Sequence, residues 1–197
     1  TAGIRNYSKT SDFLSGNLPL SLGSFDLLET TTLSTSASSV TFDILDSYSD
    51  YKHLQIRYVA RNSYAGTGTG GFAMQLNGDT GSNYSYHELT GNGSSVYSYG
   101  AGSQSAIALG RVPSNNDASG SFGAGIVDVL DFSSTAKNTT VRNFSGAKSN
   151  ASPFYVGLNS GAYLSTSAIT SLSFFPDGGY NLVAGSRFSI FGVKGTA

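Results

Sequence analysis

Residues 52–79 read KHLQIRYVARNSYAGTGTGGFAMQLNGD, and the stretch contains a literal G-x-G-x-x-G at Gly66, Gly68 and Gly71. That spacing cradles a dinucleotide pyrophosphate only where a buried strand feeds the glycines and a helix leaves them, its N-terminus facing the phosphate. The strand is present: Leu54, Ile56, Tyr58 and Ala60 alternate with His53, Gln55, Arg57 and Arg61. The helix is not. Phe72, Met74 and Leu76 alternate with polar or small neighbours, which is period two again, and the run stops at the turn signal Asn77-Gly78-Asp79. The glycines therefore read as a loop, Ala65 to Gly71, between two strands of a sheet.

The rest of the chain repeats this pattern. Phe25–Leu33, Val40–Ile44, Tyr84–Leu89, Val96–Tyr99, Gln104–Val112, Ser121–Phe132, Thr139–Lys148, Phe154–Leu158, Ala168–Phe175 and Arg187–Lys194 are short runs rich in β-branched and aromatic residues. Clusters of Gly, Ser and Asn separate them. Nothing carries a helical period, and no repeat of fixed length implies a β-helix. Eight to ten strands in one domain predict an all-β fold, an antiparallel β-sandwich of jelly-roll type, over residues 24–197. Residues 1–23 carry neither period. Ile4, Tyr7, Phe13 and Leu14, with the cation Arg5, are scattered where they cannot bury one another, so this segment is read as an extended N-terminal docking arm.

Composition narrows function by exclusion. Charged residues make up 12% of the 197 and the net charge is −1, so no basic field gathers nucleic acid or anionic lipid. The chain has no cysteine, which removes disulfides and thiolate metal sites. No apolar run approaches the ~20 residues that span a bilayer, so membrane insertion is not expected.

Catalytic signatures are missing. His53 and His87 fall in strands without H-E-x-x-H or G-x-S-x-G surroundings and read as surface or interface residues. The sparse acids lie mostly beside turns, which argues against a glycan-degrading carboxylate pair, and the chain is read as no enzyme. Asn77-Gly-Asp79-Thr-Gly-Ser-Asn83 has the oxygen-rich composition of a calcium loop but lacks the closing Glu; Asp177-Gly178-Gly179 is a weaker case. A turn using Asn and Gly for backbone tolerance explains both, so no cofactor is expected and calcium stays an alternative. Tyr84 with Tyr86, and Tyr97 with Tyr99, share strand faces two by two. Such a strip suits stacking on a sugar ring or packing against a second copy, and an ordinary half-buried sheet face is the alternative.

Three stretches carry a family likeness. They are FDLLETTTLSTSASSVTFDILDSYSDYKHLQIRYVAR (25–61), MQLNGDTGSNYSYHELTG (74–91) and ITSLSFFPDGGYNLVAGSRFSIFGVKG (169–195). Together they resemble tailed-bacteriophage virion structural proteins that carry a jelly-roll domain. The resemblance implies a place on the virion exterior, as capsid decoration, head fibre or compact tail-fibre tip. It implies virion partners in the capsid or tail and a homo-oligomer, with a trimer favoured. A receptor-binding adhesin recognising a host surface glycan is the alternative role. No catalytic residues come with the likeness.

Overall fold

The computed structural model describes residues 24–66, 68–149 and 155–195. The docking arm expected over residues 1–23 lies outside them. Twelve strands follow in chain order: β1 (Phe25–Thr32), β2 (Val40–Phe42), β3 (His53–Ala60), β4 (Thr69–Leu76), β5 (Tyr84–Gly91), β6 (Val96–Gln104), β7 (Ile107–Pro113), β8 (Gly123–Leu130), β9 (Thr139–Ala147), β10 (Tyr155–Tyr163), β11 (Leu172–Pro176) and β12 (Arg187–Val193). Every pairing is antiparallel, and two 3₁₀ turns are the only helical elements among the described residues. The protein is an antiparallel β-sandwich of jelly-roll type. Its sheets are unequal: one has eight strands in the order β1-β12-β3-β8-β9-β10-β5-β6, the other four in the order β2-β11-β4-β7.

Alternation builds the core. Leu54, Ile56, Tyr58 and Ala60 of β3 point at the small sheet, as do Phe188 and Ile190 of β12; Phe72, Met74 and Leu76 of β4 and Phe174 of β11 meet them. The rings interlock, with Phe174 stacked on Phe188 at 5.4 Å and Tyr58 against Phe72 at 5.0 Å. Each fully buried side chain of this size stabilises the fold by about 1.5–3 kcal/mol. Where β3 leaves the core, the buried Arg61 closes the corner. Its guanidinium donates to the carbonyls of Ser114, Asn115, Asp117 and Ala118 and so fastens the turn after β7 to the sandwich.

The structure corrects two expectations. The strands number twelve among the described residues rather than eight to ten, because even the short runs at Val40 and Leu172 pair as separate strands of the small sheet. The glycines are also not all loop: Thr69, Gly70 and Gly71 are ladder residues of β4, paired with Pro113, Val112 and Arg111.

Candidate interaction surfaces

One row of the large sheet crosses all eight strands. Facing the small sheet, it reads Glu29, Ile190, Ile56, Val127, Asn143, Asn159, Glu88, Tyr99 from β1 to β6. The row on the opposite face, one residue along, reads Thr30, Ser189, Arg57, Ile126, Phe144, Leu158, Leu89, Ser98. Successive strand residues point to opposite faces. Inside, the row turns from apolar to polar between Val127 of β8 and Asn143 of β9; outside, it turns from polar to apolar one strand earlier, between Arg57 of β3 and Ile126 of β8. An antiparallel sheet with one wet face ordinarily shows the reverse on β9, β10 and β5.

The inward polar residues are held by a chain of hydrogen bonds. Asn143 Nδ2 donates to the Leu109 carbonyl at 2.7 Å and lies 3.3 Å from Asn159 Oδ1, and Asn159 Nδ2 donates to Glu88 Oε2 at 3.3 Å. The Leu109 carbonyl is available because β7 bulges there: Leu109 and Gly110 together oppose Phe72, and Gly110 takes φ 90°, which favours glycine. Ser145 Oγ shares the same carbonyl at 3.3 Å. The Tyr58 hydroxyl is buried within reach of Ser145 and Asn143 yet closes no well-aligned hydrogen bond, and burial raises its pKa far above the usual phenol value. Burial likewise pushes the Tyr155 phenol up to about 12.

Outside, Phe144 is 58% exposed, Leu158 55% and Leu89 52%, flanked by Ile126, Val156 and Val96. Shallow grooves of about 450 and 260 Å³ run on either side of Phe144, walled by Ile126 and Val156 on one flank and by Leu158, Leu89 and Val96 on the other. These six side chains offer on the order of 500 Å² of contiguous apolar surface, at the upper end of what a monomer exposes. The polar half of the same outer face is braced instead. Arg57 lies over the Phe191 ring at 4.6 Å and bonds Gln55, and Asp128 of β8 pairs at 3.3 Å with Arg142, which projects from β9 on the same face as Phe144.

The four tyrosines singled out in the sequence share the inner face of β5 and β6, but they do not form one surface. Tyr84 is fully buried: its hydroxyl donates to the Leu76 and Asp79 carbonyls, and its ring stacks on Tyr163 at 4.9 Å. Burial pushes its phenol up to about 12. It belongs to the core because the end of β4 at Leu76 and the following turn close over it on one side and Tyr163 of β10 on the other. Tyr86 is half-buried against Tyr99, at 6.1 Å between rings, and Tyr97 and Tyr99 are exposed because β6 overhangs the narrower sheet.

The oxygens of the candidate calcium loop face protein donors. Asp79 accepts from the Gly81 N–H, Asn83 Nδ2 and the Tyr163 hydroxyl at 2.7–2.9 Å, and Asn83 leads the causes that hold its carboxyl below the usual range. Asn77 sits at φ 55° and caps the chain at Thr170, so an Asn-Gly turn accounts for the sequence. His53 Nδ1 accepts from the Asp131 N–H, and His87 lies exposed against Gly100. Among the described residues no group of three or more His, Asp or Glu side chains converges.

A second concave surface lies on the outer face of the small sheet. Asp177, just after β11, lays its carboxylate on Gly71, where any Cβ would collide with it. Arg111 stands directly across the ladder from Gly71, and Tyr64 and Tyr180 meet edge to face at 5.0 Å beside them. These residues and Gly70 line a groove of about 270 Å³, which continues past Asp177 into a depression of about 360 Å³ bordered by Gln75, Phe175 and Ser38. Asp177 is open at the surface as a residue, but its carboxyl is pressed onto the strand: burial raises its pKa, and Arg111 offsets part of the rise. In the sequence Asp177 stands out only as a weaker calcium-loop candidate that a turn also explains, and Tyr64, Arg111 and Tyr180 do not stand out at all. The available signal was the glycine pair in β4, which marks a strand that something must approach closely.

Compared with known protein families and with curated proteins, the chain matches none.

Proposed function

We propose that this chain is a tailed-bacteriophage virion structural protein on the particle exterior, serving as capsid decoration, head fibre or compact tail-fibre tip. In this reading residues 1–23 dock it to its capsid or tail partner. The outer face of β9, β10 and β5 packs on a neighbouring copy in a homo-oligomer, with a trimer favoured. One observation carries the reading: the polarity crossover, which turns amides into the sandwich and Phe144, Leu158 and Leu89 out of it. Water would favour the opposite arrangement, whereas a protein neighbour stabilises this one by covering apolar area. The patch is neutral, so identical copies meet there without charge repulsion, and two such patches together approach the ~1,000 Å² expected of a specific interface. The family resemblance of residues 25–61, 74–91 and 169–195 supplies the virion setting.

Gold-labelled antibody against the purified protein, applied to intact virions, tests it. Label spread over heads means decoration, and label confined to tails means a tip protein. Purified particles that bind no label, and contain no such chain after denaturation, would overturn the proposal.

A further inference from the structure

We propose that the groove over Gly71 is a saccharide site, which holds one pyranose ring between Tyr180, Asp177 and Arg111, with the next ring toward Gln75. The inference is independent of the virion reading and concerns the opposite sheet.

The chemistry follows from what the groove offers and leaves unused. Among the described residues no protein donor bonds the Asp177 carboxylate, although it is pressed against β4 and its desolvation is costly. Arg111 spends one N–H on the Thr69 carbonyl at 3.2 Å and closes no ion pair with Asp177 across the floor. A ligand must therefore donate to a carboxylate and accept from a guanidinium within a few ångströms. Hydroxyl groups on adjacent carbons do both, since each is donor and acceptor at once. The half-open Tyr180 ring, steadied edge-on by Tyr64, offers a flat apolar surface to the C–H face of the same sugar.

Other ligand classes fit less well. An anion such as a phosphate meets the Asp177 charge, a metal cation finds one carboxylate and a neighbouring guanidinium, and an apolar molecule would bury both charges without partners. The bare floor also has a reason in this reading. At Gly71 a side chain would lift Asp177 off the strand and fill the groove, so the glycine is set by the carboxylate rather than by backbone conformation.

Saturation-transfer NMR on the whole chain tests the proposal. The probes are methyl α-glucopyranoside, methyl α-mannopyranoside, methyl β-galactopyranoside and methyl β-N-acetylglucosaminide. An open site of this size should bind at least one with Kd on the order of 1 mM. Asp177→Asn, which keeps the shape, and Tyr180→Ala should each cut transfer about fivefold or more. Thr30→Ala, on the outer face of the opposite sheet, should leave it unchanged. Melting temperatures no lower than that of the parent chain establish that the fold of the variants is intact. The proposal is overturned if none of the four sugars receives saturation from the parent chain. It is equally overturned if transfer survives both groove substitutions at full strength.

Discussion

Two halves of one sheet, joined by continuous hydrogen-bonded ladders, follow opposite rules. In β12, β3 and β8 the inward residues Ile190, Ile56 and Val127 are apolar, and Arg57 and Ser189 face out. In β9, β10 and β5 the inward residues Asn143, Asn159 and Glu88 are polar, and Phe144, Leu158 and Leu89 face out. Local propensity is alike in the two halves. The difference is what lies opposite: Phe72, Phe174 and Met74 of the small sheet against the first half, the bulged backbone of β7 against the second. Both halves contribute to the core, the second through Val141, Tyr163 and Tyr84, but in the second the central row turns its apolar side chains outward.

The sharpest way to break the comparison is to empty the first half. Phe188 is fully buried between Tyr58, Phe72 and Phe174. Phe188→Ala should cost about 3–5 kcal/mol, read as a lower urea midpoint with an unchanged slope. In the second half Asn143→Ala should cost about 2 kcal/mol. The loss comes from stranded polar groups, because the Leu109 carbonyl and Asn159 Oδ1 each lose the Asn143 amide as donor. If Asn143→Ala proves as costly as Phe188→Ala, the amide chain is a principal support of the fold rather than a local accommodation. Tyr58→Phe should be near neutral, within about 0.5 kcal/mol, since its hydroxyl is buried without a well-aligned partner.

Acid separates two carboxylates at the margins of these halves. Asp79 has a folded pKa below its ordinary 3.8, so its contribution is present above that value and fades as pH falls through the folded pKa. The stability gap between the parent chain and Asp79→Asn should therefore be constant near neutrality and close below about pH 4. Asp177 has the opposite sign. Its raised pKa means that the charged form destabilises the folded state at neutral pH and that this penalty disappears as pH falls through the folded value. Asp177→Asn should accordingly raise the melting temperature slightly at pH 7 and make no difference in acid.

Much of the fold is written in period two. The alternation of residues 53–60 and 72–76 and the Asn77-Gly78 turn give strands, turn and fold class without reference to the rest of the chain. Period two does not say which face is inside. In VGLNSGAY, Val156 and Leu158 alternate with Gly157 and Asn159, and the ordinary rule would bury the former pair. Only the register with β9 and β5, and β7 lying over them, reverses it, and register is a property of distant segments. Tyr84 is a similar case. Its spacing with Tyr86 is plain, but its burial depends on Tyr163 of β10 and on the β4 end at Leu76, which other segments of the chain bring to it. The groove was less legible still, because Tyr64, Arg111 and Asp177 come from three separated segments and meet only over Gly71.

The smallest effect on folding is expected at the outer face, and it bears most directly on the difference between the halves. Phe144→Ser with Leu158→Ser removes two exposed side chains that touch no core residue across the sheet, so monomer stability should change by no more than about 0.5 kcal/mol. Association is another matter. If the face packs on a second copy, the parent chain should sediment as a concentration-dependent oligomer and the double variant as a monomer with the same circular dichroism. The matched change in the braced half, Phe191→Ser, removes the ring beneath Arg57 and should lower stability without altering sedimentation. A parent chain that stays monomeric at every concentration tested would show that no copy of itself covers Phe144, and would leave the outward apolar row to a partner of another kind. Loss of assembly in both variants would mean that the whole outer face, not its apolar half, is the contact, and the comparison between the halves would lose its functional meaning.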